Sequence, residues 1–269
     1  AESKGGLPHR LGRRTRRQMQ PLAQVGPFLK WAGGKGRLLD QFRRFIPDSL
    51  AGRGYVEPFM GSAAVFFEVG QTRRPARCTL LDANPQLVNL FVHVRDNLDE
   101  LLPKLAKHDA HHNAPNITEE ARKLYYYAVR STEPTGSSSD AAARFLYLNK
   151  TCFNGLHRLN RNGKFNVPMG GYARPTIFLA DQLRAAAAVL KTVHIEAASY
   201  DDCERFIADG DFVYFDPPYE PLSATSSFTA YAKSAFTQAD QVALRDLLVR
   251  ISGRCQWMAS NSTADVIEK

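Results

Sequence analysis

The run Asp216-Pro217-Pro218-Tyr219 places a carboxylate, two backbone positions without an N–H and an aromatic face in consecutive residues. Proline fixes its own φ and donates nothing, so the chain here offers the Asp216 carboxylate and the Pro217 carbonyl as acceptors with little freedom to move. Such a pair suits a planar exocyclic amine. Both N–H bonds are taken up, and the nitrogen lone pair can turn out of the ring plane towards an electrophile. Tyr219 adds a face on which a flanking ring can stack, worth about 1–3 kcal/mol per base. Taken alone, these residues also fit a rigid strand-to-loop turn around a buried Asp.

A second pattern lies upstream. Tyr55-Val56-Glu57-Pro58-Phe59-Met60-Gly61-Ser62 reads as a short strand breaking into a Gly/Ser turn, with a helix over 63–69. Cys78–Leu81 reads as the next strand, closing on Asp82, 21 positions beyond Gly61. A strand, glycine turn, helix and acidic strand end make a nucleoside site, where backbone approaches the ligand and Asp82 accepts from ribose hydroxyls. The spacing is not GxGxxG, which disfavours a pyrophosphate dinucleotide. Gly33-Gly34-Lys35-Gly36 mimics a phosphate loop, but GxxxxGK[ST] is absent and an ATPase gains little support.

Both turns need a sheet behind them. Phe212-Val213-Tyr214-Phe215 is a buried-strand run that would deliver Asp216 to the carboxyl edge of an open α/β sheet, where ligand crevices lie. Helical periodicity covers 85–140, interrupted by Ser131–Ser139 (STEPTGSSS), which reads as a mobile linker, with Asp140 as N-cap of the helix that follows. Leu159–Val167 carries Asn162-Gly163 between short runs, the signal of a type I′ hairpin. The α/β pattern then resumes: a helix from Phe178 to Lys191, a strand at His194–Ala197, a helix at Asp202–Ile207, a capping box at Thr237–Asp240 and a strand at Gln256–Ala259. The polar loop Glu220–Phe236 reads as a lid or backbone clamp. The pattern stops at Lys269 within a helix, so one or two further strands are expected to belong to this sheet.

Composition narrows the class. The 269 residues are 44% hydrophobic and 23% charged, which excludes wholesale disorder, and no run approaches the roughly 18 apolar residues of a membrane span. The start of the chain lacks an apolar h-region, and Cys78, Cys152, Cys203 and Cys255 lie far apart with no CxxC, so we expect a cytosolic protein with reduced thiols and no metal. The net charge of +8 is uneven: residues 1–26 carry a net +5, residues 144–174 a net +6 with no acid, and the rest is mildly acidic. Clustered cations are what phosphate neutralisation requires; a solvated charged face is the competing reading.

FLKWAGGK (28–35), YVEPFMGSAAVF (55–66), LDANP (81–85), LYLNKTCFNGLHRLNRNGKFNVPMG (146–170) and YFDPPYEPLSATSSFTAY (214–231) together resemble the DNA adenine-N6 methyltransferases of the Dam type, in that family's order. The resemblance spans about 27–262. It implies a Rossmann-like methyltransferase sheet, S-adenosylmethionine as donor, a flipped adenine in double-stranded DNA as acceptor, and GATC as the site. It further implies a catalytic domain split over 27–86 and 176–269 around a helical and β-hairpin recognition domain at 87–175; residues 1–26, basic and without periodicity, read as a flexible arm outside that pattern. Trp31, Lys35, Phe59, Gly61, Asp82, Tyr200 and Asp216 are the implied cofactor residues, Lys35 facing the methionine carboxylate. Asp216, Pro217, Pro218 and Tyr219 are the implied target-amine site. Lys30 and Arg158 are implied guanine contacts and Phe153 a wedge in the duplex, while Asn154, Leu156, Asn160 and Pro168 belong to the recognition hairpin. The sequence departs from the family where Phe153 replaces a common tyrosine, where Gly171 replaces a frequent arginine, and in the extra basic arm. The expected protein is a nucleoid-associated monomer, able to load more than one copy on DNA. Competing readings are an amino-methyltransferase on cytosine N4, RNA adenine or a protein glutamine, and a DNA-binding regulator without turnover. A cytosine-C5 enzyme is disfavoured because no cysteine follows a proline.

Overall fold

A computed structural model describes residues 25–134, 136–219 and 236–262. The expectations for the basic arm, for nearly all of the Glu220–Phe236 loop and for a C-terminal extension of the sheet lie outside the described residues. Five parallel strands form one sheet: β1 (Gly54–Glu57), β2 (Arg77–Asp82), β3 (His194–Ala197), β4 (Phe212–Phe215) and β5 (Gln256–Ala259), in the order β3-β2-β1-β4-β5. The chain winds outward from β1 to β3, then returns to β4 on the other side of β1. Strand order therefore reverses between β1 and β4, and the register Tyr55↔Phe212 and Val56↔Val213 sets the turn after Glu57 beside Asp216. This is the place where an open α/β sheet leaves a crevice at its carboxyl edge.

β1 and β4 are buried along their whole length, as apolar parallel strands covered on both faces must be. Residues of β1, β2 and β4 alternate between two cores. Tyr55, Leu80, Phe212 and Tyr214 face a core shared with Phe28, Phe66, Phe67 and Phe91. Val56, Leu81, Val213 and Phe215 face Leu244, Leu247 and Ile251. Helices α1 (Leu39–Phe42), α2 (Ala64–Thr72), α3 (Pro85–Asp96), α4 (Leu98–His112), α5 (Glu119–Ser131), α6 (Ser139–Thr151), α7 (Ala180–Leu190) and α8 (Gln238–Ile251) complete the order. α3 starts where local chemistry dictates, with Pro85 at its first turn and the Asn84 side chain accepting from the amides of Gln86 and Leu87. α4 and α6 add Leu101, Leu105, Phe145 and Leu146 to the same core as the sheet. No helix among the described residues is long and apolar enough to cross a membrane.

Three local readings are corrected. Ser138, not Asp140, caps α6, accepting from the Ala141 amide; Asp140 points away to an ion pair with Lys104 at 2.6 Å. The end of the expected mobile linker is fastened, since Asn89 on α3 donates to the Ser138 carbonyl at 3.0 Å and Ser139 is already in the helix. The ribbon turn is not type I′, which needs positive φ at both central residues. Here Gly163 alone is left-handed (φ 75), and the bonds Gly163 N to Asn160 O (2.9 Å) and Asn160 N to Lys164 O (2.8 Å) make a three-residue loop of the type I plus bulge kind. The helix expected at Asp202–Ile207 is present as a 3-10 helix, Tyr200–Phe206.

A half-buried and a buried histidine join α4 to its neighbours. His108 Nδ1 lies 2.8 Å from the Tyr125 hydroxyl and His112 Nδ1 lies 2.9 Å from that of Tyr147. Burial pushes both imidazoles down to about 4, with His111 and Lys107 adding to the effect on His108 and Arg122 to that on His112. Their ordinary value is about 6.5, so between these limits the unfolded chain binds more protons than the folded one. The stabilisation is complete above pH 6.5 and is lost as pH falls towards 4. We expect the melting temperature to drop steadily from pH 7 to 4.5, and a His108→Gln/His112→Gln variant to show a shallower slope in the same calorimetric series.

Candidate active site

A cavity of about 650 Å3 opens at the carboxyl ends of β1 and β4. It gathers Trp31, Lys35, Phe59, Gly61, Asp82 and Tyr200 with the run Asp216-Pro217-Pro218-Tyr219, so every residue assigned from the sequence to the cofactor or the target amine lines one space.

On the β1 side, the turn is built around Gly61. Its φ is 46°, and a Cβ there would lie 2.9 Å from Cδ1 of Trp31, so glycine alone lets the indole cross the turn. The Gly61 amide donates to Asp82 Oδ2 at 3.1 Å and the Asn84 amide to Oδ1 at 2.9 Å. Burial lifts the Asp82 carboxyl to about 6, against the pull of these amides. Phe59 stacks on Tyr200 with ring centroids 5.3 Å apart and planes 17° from parallel, and Phe236 meets Phe59 edge-on at 5.8 Å. Glycine turn, carboxylate and stacked aromatic pair all line the same cavity.

On the β4 side, the Lys35 Nζ contacts both oxygens of Asp216, at 2.6 Å and 2.7 Å, donates to the Gly33 carbonyl at 2.7 Å and lies 4.8 Å from the Tyr219 ring centroid. Ser260 Oγ donates to Asp216 Oδ1 at 2.9 Å. Burial raises the proton affinity of Asp216, while Lys35 and Ser260 hold it back. Glu57, at the end of β1, lines the same cavity although it is buried; Tyr55 donates to its Oε2 at 2.7 Å. Burial lifts the Glu57 carboxyl to about 8, with Asp216 adding to the effect and Tyr55 and Lys35 opposing it.

The residues expected to meet DNA lie next to this cavity. Lys30 precedes Trp31; its Nζ lies 3.6 Å from the Tyr172 ring centroid and 3.3 Å from the Lys150 carbonyl. Burial and the Lys30 charge push the Lys150 ammonium down to about 8. Phe153 is 51% exposed, its amide bonded to the Pro168 carbonyl at 2.9 Å, and Asn154 beside it is left-handed (φ 53) and exposed. Arg158 is exposed and donates from Nε to Asn166 at 2.8 Å. Asn160 uses its side-chain oxygen inside the ribbon, accepting from the amides of Asn162 and Lys164 at 3.0 Å each, and Leu156 packs partly into the core beneath.

The family model of the D12 class N6 adenine-specific DNA methyltransferases matches residues 31–269. The chain belongs to this family. It is 37% identical over 247 residues to the type II methyltransferase M.MjaIII of Methanocaldococcus jannaschii, covering 89% of this chain and 85% of that one. It is 38% identical over 220 residues to the DNA adenine methylase of Escherichia coli K12 (82% and 74% covered) and 38% over 223 residues to that of Vibrio cholerae (82% and 74%). It is thus an adenine-specific DNA methyltransferase, and the cytosine, RNA, glutamine and regulator readings are unsupported.

Several residues of this methyltransferase site escaped the sequence reading. Glu57 had a signal, an acid inside an otherwise apolar strand. Asn149 had only its place among apolar neighbours on α6. Its Oδ1 accepts from the Lys30 amide (3.0 Å) and its Nδ2 donates to the Lys30 carbonyl (2.6 Å) and the Gly155 carbonyl (3.3 Å), which bolts the segment before Trp31 to the turn carrying Phe153. His157, buried in the ribbon, stacks on Trp31 with centroids 6.0 Å apart, a contact between distant segments that no local pattern reveals.

Proposed function

We propose that this methyltransferase uses S-adenosylmethionine to methylate N6 of a flipped adenine in duplex DNA, within GATC. The observation that carries the reading is the placement of the Asp216 carboxylate at the strand-order reversal, in the same cavity as the Gly61 turn, Asp82 and the Phe59–Tyr200 pair. Asp82 would accept from the ribose hydroxyls, Phe59 and Tyr200 would hold the cofactor base, Trp31 would cover the turn, and Lys35 would meet the methionine carboxylate. Bound there, the cofactor would supply an electrophilic sulfonium methyl group and a sulfur able to keep the C–S electron pair.

The protein contributes positioning and electrostatics. Asp216 and the Pro217 carbonyl accept the two N–H bonds of the target amine, and Tyr219 stacks on its ring, offsetting part of the cost of taking the base out of the duplex. The proton lost from nitrogen passes to Asp216, whose affinity for it is raised by burial. Residues 87–175 act as the recognition part, with Phe153 as wedge and Lys30 and Arg158 on guanine; Asn154, Leu156, Asn160 and Pro168 shape that surface. Among the described residues Arg158 donates from Nε alone, which leaves the rest of its guanidinium fork available to a base edge.

Transfer of labelled methyl groups to a GATC duplex, against one in which the adenine is replaced, tests the reading directly; equal labelling of both duplexes would refute it. Arg158→Ala is expected to lose about 1–3 kcal/mol of discrimination at its base while retaining turnover. A uniform loss on all duplexes would instead make Arg158 a phosphate contact.

A further inference from the structure

We propose that Ser260, just beyond β5, is a positioning residue that sets the rotation of the Asp216 carboxylate, and that the adjoining Asn261 and Gln241 fix the backbone of the Asp216–Tyr219 run from the same side. The inference rests on the target-amine role given to Asp216 above.

Two chains of hydrogen bonds converge on the run. A carboxylate held between Lys35 and a hydroxyl can only accept, so Ser260 Oγ is the donor in its 2.9 Å bond to Asp216 Oδ1. That spends the only proton of Ser260, and the Tyr214 hydroxyl, 2.9 Å from the same Oγ, must donate to it. The bonds thus run one way, Tyr214 to Ser260 to Asp216, and the Ser260 amide is itself anchored on the Phe215 carbonyl at 3.0 Å.

The second chain is also directional. The Pro218 carbonyl can only accept, which fixes Gln241 Nε2 as its donor at 3.1 Å and leaves Gln241 Oε1 to accept from Asn261 Nδ2 at 3.0 Å. Gln241 is buried on α8, where an unpaired amide would be costly. Among the described residues the Pro218 carbonyl is therefore occupied, whereas no donor is bonded to that of Pro217. The terminal torsion of an Asp side chain is soft and roughly two-fold. Lys35 cannot define it, because a flexible ammonium is a point charge with rotatable donors. Ser260, on a strand end, supplies the direction: with Oδ1 held, a lone pair of the carboxylate stays turned towards the amine that the Pro217 carbonyl also meets.

Besides Ser260, the titratable and charged groups that act on Asp216 among the described residues are Lys35, Glu57 and Tyr214, with Tyr219 lining the same cavity. Ser260 opposes the rise in its proton affinity, so removing the hydroxyl makes Asp216 easier to protonate.

The test is single-turnover methyl transfer by Ser260→Ala and Ser260→Thr across pH, with binding of S-adenosylhomocysteine and DNA measured alongside. Ser260→Ala is expected to slow the step by about 10- to 100-fold with both affinities within about threefold. The acid limb of its rate profile should move to higher pH, and Ser260→Thr should restore most of the rate. A wild-type rate and an unmoved limb in Ser260→Ala would overturn the inference. So would parallel losses of rate, ligand affinity and melting temperature in both variants, which would make Ser260 merely structural. A wild-type enzyme that leaves the adenine duplex unlabelled would defeat the proposed function instead, and the two failures are distinguishable.

Discussion

Asp216→Ala should lower single-turnover methylation of an adenine duplex by about 10³-fold or more, the scale seen when a preorganised partner of a reacting group is removed. DNA affinity should stay within a few fold, because the carboxylate lies in the cavity and the cations expected to meet phosphate and guanine lie beside it. Binding of the cofactor product should persist or tighten, since the substitution frees the Lys35 ammonium from the carboxylate it holds at 2.6 Å. That combination, chemistry lost and binding kept, separates a role in the reaction from a role in folding. Turnover within tenfold of wild type would end the amine-acceptor account.

Lys35→Met comes next in size. Lys35 is buried, and deleting one partner of a buried pair leaves the other uncompensated, a loss of about 3–5 kcal/mol in general. Here two effects combine. The cavity loses its cation for a ligand carboxylate, so cofactor affinity should fall by about 10²-fold. Asp216 also loses the largest influence opposing its burial, and its proton affinity rises further. An acid with a raised pKa is less ionised at neutral pH and regains charge as pH increases. The rate at saturating cofactor should therefore fall at pH 7 and recover in part towards alkaline pH. A rate profile parallel to wild type, with unchanged cofactor affinity, would show that Lys35 does neither task.

The sequence pointed to most of the residues that line the cavity because their chemistry is written in short segments. Asp216–Tyr219 follows an apolar run that could only be a buried strand, and Gly61 and Asp82 bracket one βαβ unit. Each pattern rests on neighbours a few residues apart, where periodicity and turn chemistry act. The parallel sheet followed from the same alternation, and the family relationship agrees with it. Local rules were weaker where several solutions are close in energy: Ser138 and Asp140 could each cap α6, and Asn162-Gly163 could sit in either of two hairpin turns.

What local sequence could not determine are the partnerships between segments far apart in the chain. Lys35 meets Asp216 across 181 positions, and Ser260 reaches it across 44. Asn149 brackets Lys30 across 119. Such pairs leave no periodic trace, because each residue by itself is an ordinary polar side chain on a loop, helix or strand end. Only the return of β4 to the side of β1, followed by β5 beside it, brings them within hydrogen-bond reach. The residue types thus decided which chemistry is possible, and the winding of the sheet decided which groups hold the reacting carboxylate in place.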